Sequence, residues 1–372
     1  MSGVTGEKGI KGGLSITVAE EESGMTARGV LKRKGGVSQR LIRKITHGEG
    51  ETAGALLING APALFRDFVS TGDEIRLIFP GEESWILAED IPFAIIYEDD
   101  DILAIDKQPG MIVHPTNGHR SGTLANAIVC HMKRRGENYR PRFISRLDMD
   151  TSGVLLVGKN SHAQDSLARQ GKAGAVEKIY TAVLEGVLEE SLPPTGIIDL
   201  PIGLVRPGEP RRAVLPEEEG GYPSQTAYRI TGRLYPCVPS DGWEAPGVEG
   251  QPPGASTNGV EGQPPGASTN GAEGPPPGAS SANVEAPSYC GALTVVQARL
   301  LTGRTHQIRV HFAHFGHPVL GDSLYGAPSP LIARQALHAS AFAFAHPVTG
   351  EPKRLEAPLP ADIAVLMDYR RQ

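Results

Sequence analysis

Phe143-Ile144-Ser145-Arg146-Leu147-Asp148-Met149-Asp150-Thr151-Ser152-Gly153-Val154-Leu155-Leu156-Val157 is the stretch on which the reading of this chain turns. Arg146 and Asp148 stand two apart ahead of a Thr-Ser-Gly turn. That turn feeds an apolar run, 154–157, of the length and composition of a buried strand. Such a turn can hold one carboxylate at a loop edge beside a cation, with backbone N–H groups and hydroxyls within reach. Taken alone, an Asp here reads as a turn residue before it reads as a catalyst.

Outward from this run, residues 95–97, 102–106, 153–157 and 178–185 read as strands, and 165–170 lies in a helical stretch. Residues 295–301, 305–312 and 341–345 add strand or helix candidates. Strands outnumber helices without regular alternation, so the fold class expected is α+β with a mixed, mainly antiparallel sheet. Toward the N-terminus, residues 1–27 are rich in Gly, Ser and acids and read as a disordered lead-in. Residues 28–83 form a compact unit. Ser38 caps an expected helix with Leu41, Ile42 and Ile45 on one face and Arg40, Arg43 and Lys44 on the other. Leu56-Leu57-Ile58 meets the turn signal Asn59-Gly60, and residues 74–79 alternate as a half-buried strand does.

From residue 84 to 372 extends a larger domain, broken at about 238–289 by a segment of another kind. GVEGQPPGASTN at 247–258 recurs at 259–270 and imperfectly at 271–282. It has no apolar face to stack, so it reads as a flexible loop inserted in a hairpin rather than as a solenoid. Loop-closure cost grows slowly with length, which makes the insertion tolerable.

The net charge of −6 argues against an RNA partner until its distribution is seen. Between residues 241 and 289 lie six acids and no Lys or Arg, so the remainder is neutral overall. That remainder carries basic clusters at 32–34, 40–44, 133–135, 140–146 and 206–212. Cys130, Cys237 and Cys290 are odd in number and lack C-x-x-C spacing, which fits a reducing cytosol better than a disulfide framework or zinc site. Apolar runs are too short to span a bilayer, and the N-terminus has no charged-then-apolar leader, so a cytoplasmic protein is expected. His306, His311, His314 and His317 could chelate zinc, but no acid or Cys sits at a ligand spacing. No metal is expected.

The R-L-D-x-x-T-S-G stretch resembles the signature of the RNA pseudouridine synthases that act on large-subunit ribosomal RNA and tRNA. Further segments resemble that family in order. They are Asp106-Lys107-Gln108-Pro109-Gly110-Met111-Ile112-Val113-His114-Pro115, Gly122-Thr123-Leu124, Lys178-Ile179-Tyr180-Thr181-Ala182, and Leu301-Thr302-Gly303-Arg304-Thr305-His306-Gln307-Ile308-Arg309-Val310-His311. Gly316-His317-Pro318, Gly321-Asp322, Tyr325-Gly326 and Leu337-His338-Ala339 follow. The unit at 28–83 resembles the small S4-like RNA-binding domain that often precedes this catalytic domain, although its first helix, near 27–34, is polar and interrupted by glycine.

The resemblance implies an isomerase that converts uridine to pseudouridine in structured RNA, without cofactor; a monomer is expected. It implies Asp148 as the essential aspartate, acting as nucleophile or base; Tyr180 stacked on the target base; and Arg309 paired with the aspartate. Arg146 is implied at the extruded nucleotide, with Thr151, Arg304, His306, Gln307 and His311 as further substrate contacts. One departure is Ser145, where many relatives place His before R-L-D. The competing reading is an RNA-binding protein without activity, which the basic clusters alone would permit.

Overall fold

The structure, a computed structural model, describes residues 13–48, 53–116, 118–206, 208–238 and 289–369. The chain begins with β1 (Gly13–Thr17), whose Leu14 and Ile16 turn inward. Thr26 accepts from the Gly29 N–H and so caps α1 (Ala27–Arg33). Ser38 accepts from the Leu41 N–H and caps α2 (Gln39–Thr46). In α2, Leu41, Ile42 and Ile45 are buried while Arg40, Arg43 and Lys44 face solvent, as the spacing requires. Strands β2 (Ala55–Ile58) and β3 (Ala61–Pro62) join through Asn59 and Gly60, at φ 53° and 78°. Both central positions are left-handed, the demand of a type I′ turn that Asn-Gly meets at little cost. With β4 (Glu74–Ile78) they form an antiparallel sheet in the order β1-β4-β2-β3.

The expected lead-in is therefore shorter than residues 1–27, because β1 and a 3-10 turn at Glu20–Glu22 are part of this unit. A strand with two inward side chains carries too little periodicity to be told from a Gly/Ser tail. Residues 1–12 lie outside the described residues.

The second sheet has ten strands. They are β5 (Ala94–Glu98), β6 (Ile102–Lys107), β7 (Arg142–Phe143), β8 (Ser152–Gly158), β9 (Glu177–Glu185), β10 (Thr195–Asp199), β13 (Gln225–Leu234), β16 (Leu293–Leu300), β17 (Leu337–Ala345) and β18 (Pro352–Glu356). Two short ladders lie apart from it, β11 (Ile202–Leu204) with β12 (Arg212–Val214) and β14 (Cys237–Val238) with β15 (Tyr289–Cys290). The main path runs β10-β13-β16-β9-β17-β8-β6-β5, antiparallel except where β17 meets β8 in parallel. This is the α+β class with a mixed, mainly antiparallel sheet.

Both faces of the sheet's centre are covered. Leu103, Ile105, Leu155 and Val157 join the core formed with α3 (Leu124–Arg134), α5 (Gln307–His314) and α6 (Ala361–Met367). Ile102, Ala104, Val154 and Leu156 point the other way, onto α4 (Ser161–Lys172) through Ala163 and Leu167. Alternate residues thus meet opposite cores, so 154–157 is apolar without interruption. Each buried Leu or Val contributes roughly 1.5–3 kcal/mol.

β13 and β16 pair antiparallel, with β14 and β15 continuing the hairpin toward the inserted segment. The repeat at 247–282 lies outside the described residues. Glu82, just past the N-terminal sheet, receives Lys44 of α2 and Arg142 of β7 together, which ties the two sheets' surroundings to each other.

Candidate active site

The end of β6 and the start of β8 hold the loop that carries Asp148. Thr151 N–H donates to the Asp148 carbonyl at 3.1 Å, closing the turn. From beneath, the buried Lys107 Nζ donates to the carbonyls of Gln108 (2.9 Å), Met149 (2.6 Å) and Thr151 (2.9 Å). From the side, Arg334 donates to the Asp150 carbonyl at 2.9 Å and to Ser152 Oγ at 3.2 Å, itself held by Asp362. Gly153 completes the brace. It sits at φ +108°, and a Cβ there would lie 2.2 Å from the Ala339 carbonyl oxygen, where β8 and β17 pair. Only glycine permits that approach.

Burial pushes the Lys107 pKa down to about 7, against the opposing pull of Asp150. Three carbonyl partners use all three N–H groups of an ammonium, and a neutral amine has only two. Between about 7 and the ordinary lysine value of 10.5, the unfolded chain binds more protons at this group than the folded one. Its contribution to stability therefore climbs with pH across that window. Lys107→Met is expected to remove the climb, which denaturant unfolding of both proteins at several pH values across the window would detect. Parallel stability–pH curves would refute it.

Across the cleft, α5 presents Arg309. Its Nη1 donates to Asp148 Oδ2 at 2.8 Å, while Nε and Nη2 clasp Asp322 at 2.6 and 2.8 Å. The guanidinium is thus shared by a fully buried carboxylate and one that is 28% exposed. Burial works against its charge, but Asp322 first and Asp148 after it outweigh that and keep it protonated. The Tyr325 ring lies 5.1 Å from Arg309 Cζ, and its hydroxyl meets His306 Nδ1 at 2.8 Å. His306 stands at φ 58°, a left-handed residue ahead of α5, with Nε2 3.8 Å from Asp148 Oδ2. Burial lowers its pKa, against the pull of Asp148, so the imidazole is neutral at neutral pH.

Tyr180 of β9 lines the same cleft as Arg146, Asp148, Leu300 and Arg304. Burial, and behind it the Asp148 charge, raises its pKa, so the phenol keeps its proton. The structure therefore brings Asp148, Tyr180 and Arg309 together. Arg146 is exposed at the mouth with no ion-pair partner among the described residues. Arg304 is also exposed, its guanidinium 5.4 Å from the Tyr222 ring. Thr151 is buried and accepts from Gln335 Nε2 at 3.3 Å.

Two expected substrate contacts are placed otherwise. His311 is fully buried, with Nδ1 at 2.9 Å from Thr226 Oγ1 and Nε2 at 3.0 Å from the Leu200 carbonyl. Gln307 borders the cleft but spends its amide on protein. Its Oε1 accepts from Thr302 Oγ1 and the Arg304 N–H, and its Nε2 donates to the Gln225 carbonyl and Thr226 Oγ1. Both lie on the side of α5 that packs on β13, where protein groups take up their polar atoms. The four histidines weighed as a metal site do not converge either: His317 bonds to the Glu185 carbonyl and Ser191 Oγ, and His314 stacks edgewise on Phe315.

Residues 101–314 match the family model described as RNA pseudouridylate synthase. The chain is 33% identical over 334 residues to the uncharacterized RNA pseudouridine synthase YjbO of Bacillus subtilis, an alignment covering 89% of this chain and 95% of that one. The chain belongs to the RNA pseudouridylate synthase family. It is also 32% identical to ribosomal large subunit pseudouridine synthase D of Nitrosomonas europaea, over 84% of this chain and 76% of the relative. A human RNA pseudouridylate synthase domain-containing protein aligns at 23% identity and TM-score 0.47, over 73% of this chain and 85% of that one. Pseudouridine synthases are isomerases, converting uridine to pseudouridine within RNA. Among the described residues no helix is long and apolar enough to cross a membrane.

For a pseudouridine synthase the sequence reading missed four groups that build the site: Lys107, Asp322, Tyr325 and Arg334. The first three stand inside quoted motifs. A lysine at the end of an apolar strand was the available signal for Lys107, since such a charge must find partners when the strand is buried.

Proposed function

We propose that this chain isomerises uridines in folded large-subunit ribosomal RNA, with Asp148 as the acting carboxylate. The observation that carries the reading is the clamp in which Arg309, anchored by buried Asp322, holds an accessible Asp148 oxygen at the mouth of a cleft lined by Tyr180. In the isomerisation the bond from ribose C1′ to N1 breaks, the base turns, C1′ joins C5, the C5 proton leaves to solvent and N1 takes up a proton. A fixed, ionised carboxylate can attack the sugar or base, or take a proton from the ribose. Tyr180 offers a ring against the base and a protonated hydroxyl near C5. Arg146 fills the place of the extruded nucleotide, which leaves its stack at a cost of a few kcal/mol. Ribosomal RNA is favoured over tRNA by relatives named large subunit pseudouridine synthase D, from Nitrosomonas europaea and Pseudomonas aeruginosa.

The N-terminal sheet and helices act, in this reading, as an S4-like RNA-binding domain, with Arg40, Arg43 and Lys44 of α2 meeting phosphates. The protein works as a cytoplasmic monomer. The test is tritium release from C5-labelled uridine in bulk ribosomal RNA, with and without chelator, followed by mapping of pseudouridines in a deletion strain. Release that survives chelation and sites lost in the large subunit support the reading. No release at all would leave an RNA binder without activity.

A further inference from the structure

Next to the Asp148 cleft lies a second cavity, of about 390 Å³, that none of the assigned site residues lines. Leu300, at the end of β16, stands between them and borders both. The cavity is lined by Phe143, Leu167, Val176, Leu300, Leu301 and Gly303 among others. Lys178 of β9 lines it too, two residues before Tyr180 and so on the same face of the strand. Among the described residues its Nζ meets no carboxylate or carbonyl. Its neighbours there are the Phe342 ring, 5.9 Å from Nζ to centroid, and the Gly303 backbone, where an added Cβ would lie 3.9 Å from that nitrogen.

A half-buried ammonium without an anion is costly and has a use only when an anion arrives. Burial alone shifts the Lys178 pKa, downward, with no carboxylate to restore it. The other cations at the rim fit the same visitor: Lys172 is exposed and Arg299 is half-exposed on a pair with Glu177. Apolar and aromatic walls beside an unpaired cation are the combination that accepts one unstacked nucleotide, base against the walls and phosphate on the charge. We propose that this cavity binds the nucleotide adjacent to the target uridine in the same RNA strand, with Lys178 receiving its phosphate. The inference rests on the isomerase reading above, because it takes the target base to lie against Tyr180.

The experiment uses the full chain and ribosomal RNA transcripts. Lys178→Met keeps the length of the side chain and removes the charge. It is expected to raise KM about tenfold, the loss of one charge-assisted hydrogen bond, with kcat kept at saturating RNA. The slope of log affinity against log salt should shallow by about 0.7, the share of one single-strand phosphate. Lys178→Arg should restore most of both. Affinity is read in the Asp148→Asn background, where turnover cannot disturb it. Ala168→Trp, at an exposed position of α4 on the cavity wall, fills the space without entering the core and covers the case in which Lys178→Met fails to fold. It should likewise raise KM. Unchanged KM and salt slope in both variants, or a loss confined to kcat, would overturn the subsite. Absence of tritium release from the wild type would instead sink the isomerase reading and leave the binding measurement standing.

Discussion

Asp148→Asn is expected to lower uridine isomerisation by at least about a thousandfold while the fold and the RNA affinity stay near wild type. The amide keeps the shape of the carboxylate, and the turn around it depends on backbone atoms, Lys107 and Arg334 rather than on the Asp148 side chain. What is lost is the negative charge that attacks or takes the proton. Arg309 keeps its place because Asp322 still grips two of its nitrogens. Single-turnover tritium release, with affinity measured on the same transcript, separates chemistry from binding. Turnover above a trace of wild type would remove Asp148 from the chemistry.

The second large effect is at Arg309, where stability and activity should fall together. Arg309→Met takes the cation from Asp322, whose side chain is wholly buried and keeps only the Leu324 and Tyr325 N–H groups at 3.0 and 3.2 Å. Breaking a buried pair from one side costs about 3–5 kcal/mol. The rate should drop about a hundredfold, the usual scale for removing a preorganised charge at a reacting centre. Adding Asp322→Asn to Arg309→Met should return much of the stability, since no buried charge is then stranded, and none of the rate. Denaturant midpoints and tritium release of the single and double variants decide it. A double variant no more stable than Arg309→Met would show that Asp322 is not the source of the loss.

Much of this was legible before any coordinates. The run 154–157 announced a buried strand, and the Asn59-Gly60 dipeptide announced its turn. The segment 305–312 stayed open between strand and helix because both sides of α5 are buried, at Arg309 and Phe312 as at Gln307 and His311, which erases the one-sided period of an amphipathic helix. The same burial turns the polar atoms of Gln307 and His311 onto β13: a motif shows that a residue type is needed, not which side of the helix it serves. The roles of Lys107 and Arg334 in bracing the loop were harder to read for another reason. The groups they hold in the Asp148 loop are backbone carbonyls, which every residue has and no sequence pattern marks.

The parallel pairing of β17 with β8 has a consequence for how this protein comes into being. His338 pairs with Ser152, and Arg309 reaches Asp148, across spans of well over a hundred residues. Contacts so distant along the chain must close long loops before they return any stabilisation, which makes folding slow. Synthesis proceeds from the N-terminus, so the N-terminal sheet can be complete and the Asp148 loop already exposed to the cell while the strand that braces Gly153 is still unmade. A nascent chain can therefore carry the signature stretch in full and have no catalytic power. Activity arrives only once β17 (Leu337–Ala345) has been made, and truncation within it should abolish activity even though every residue of R-L-D-x-x-T-S-G remains.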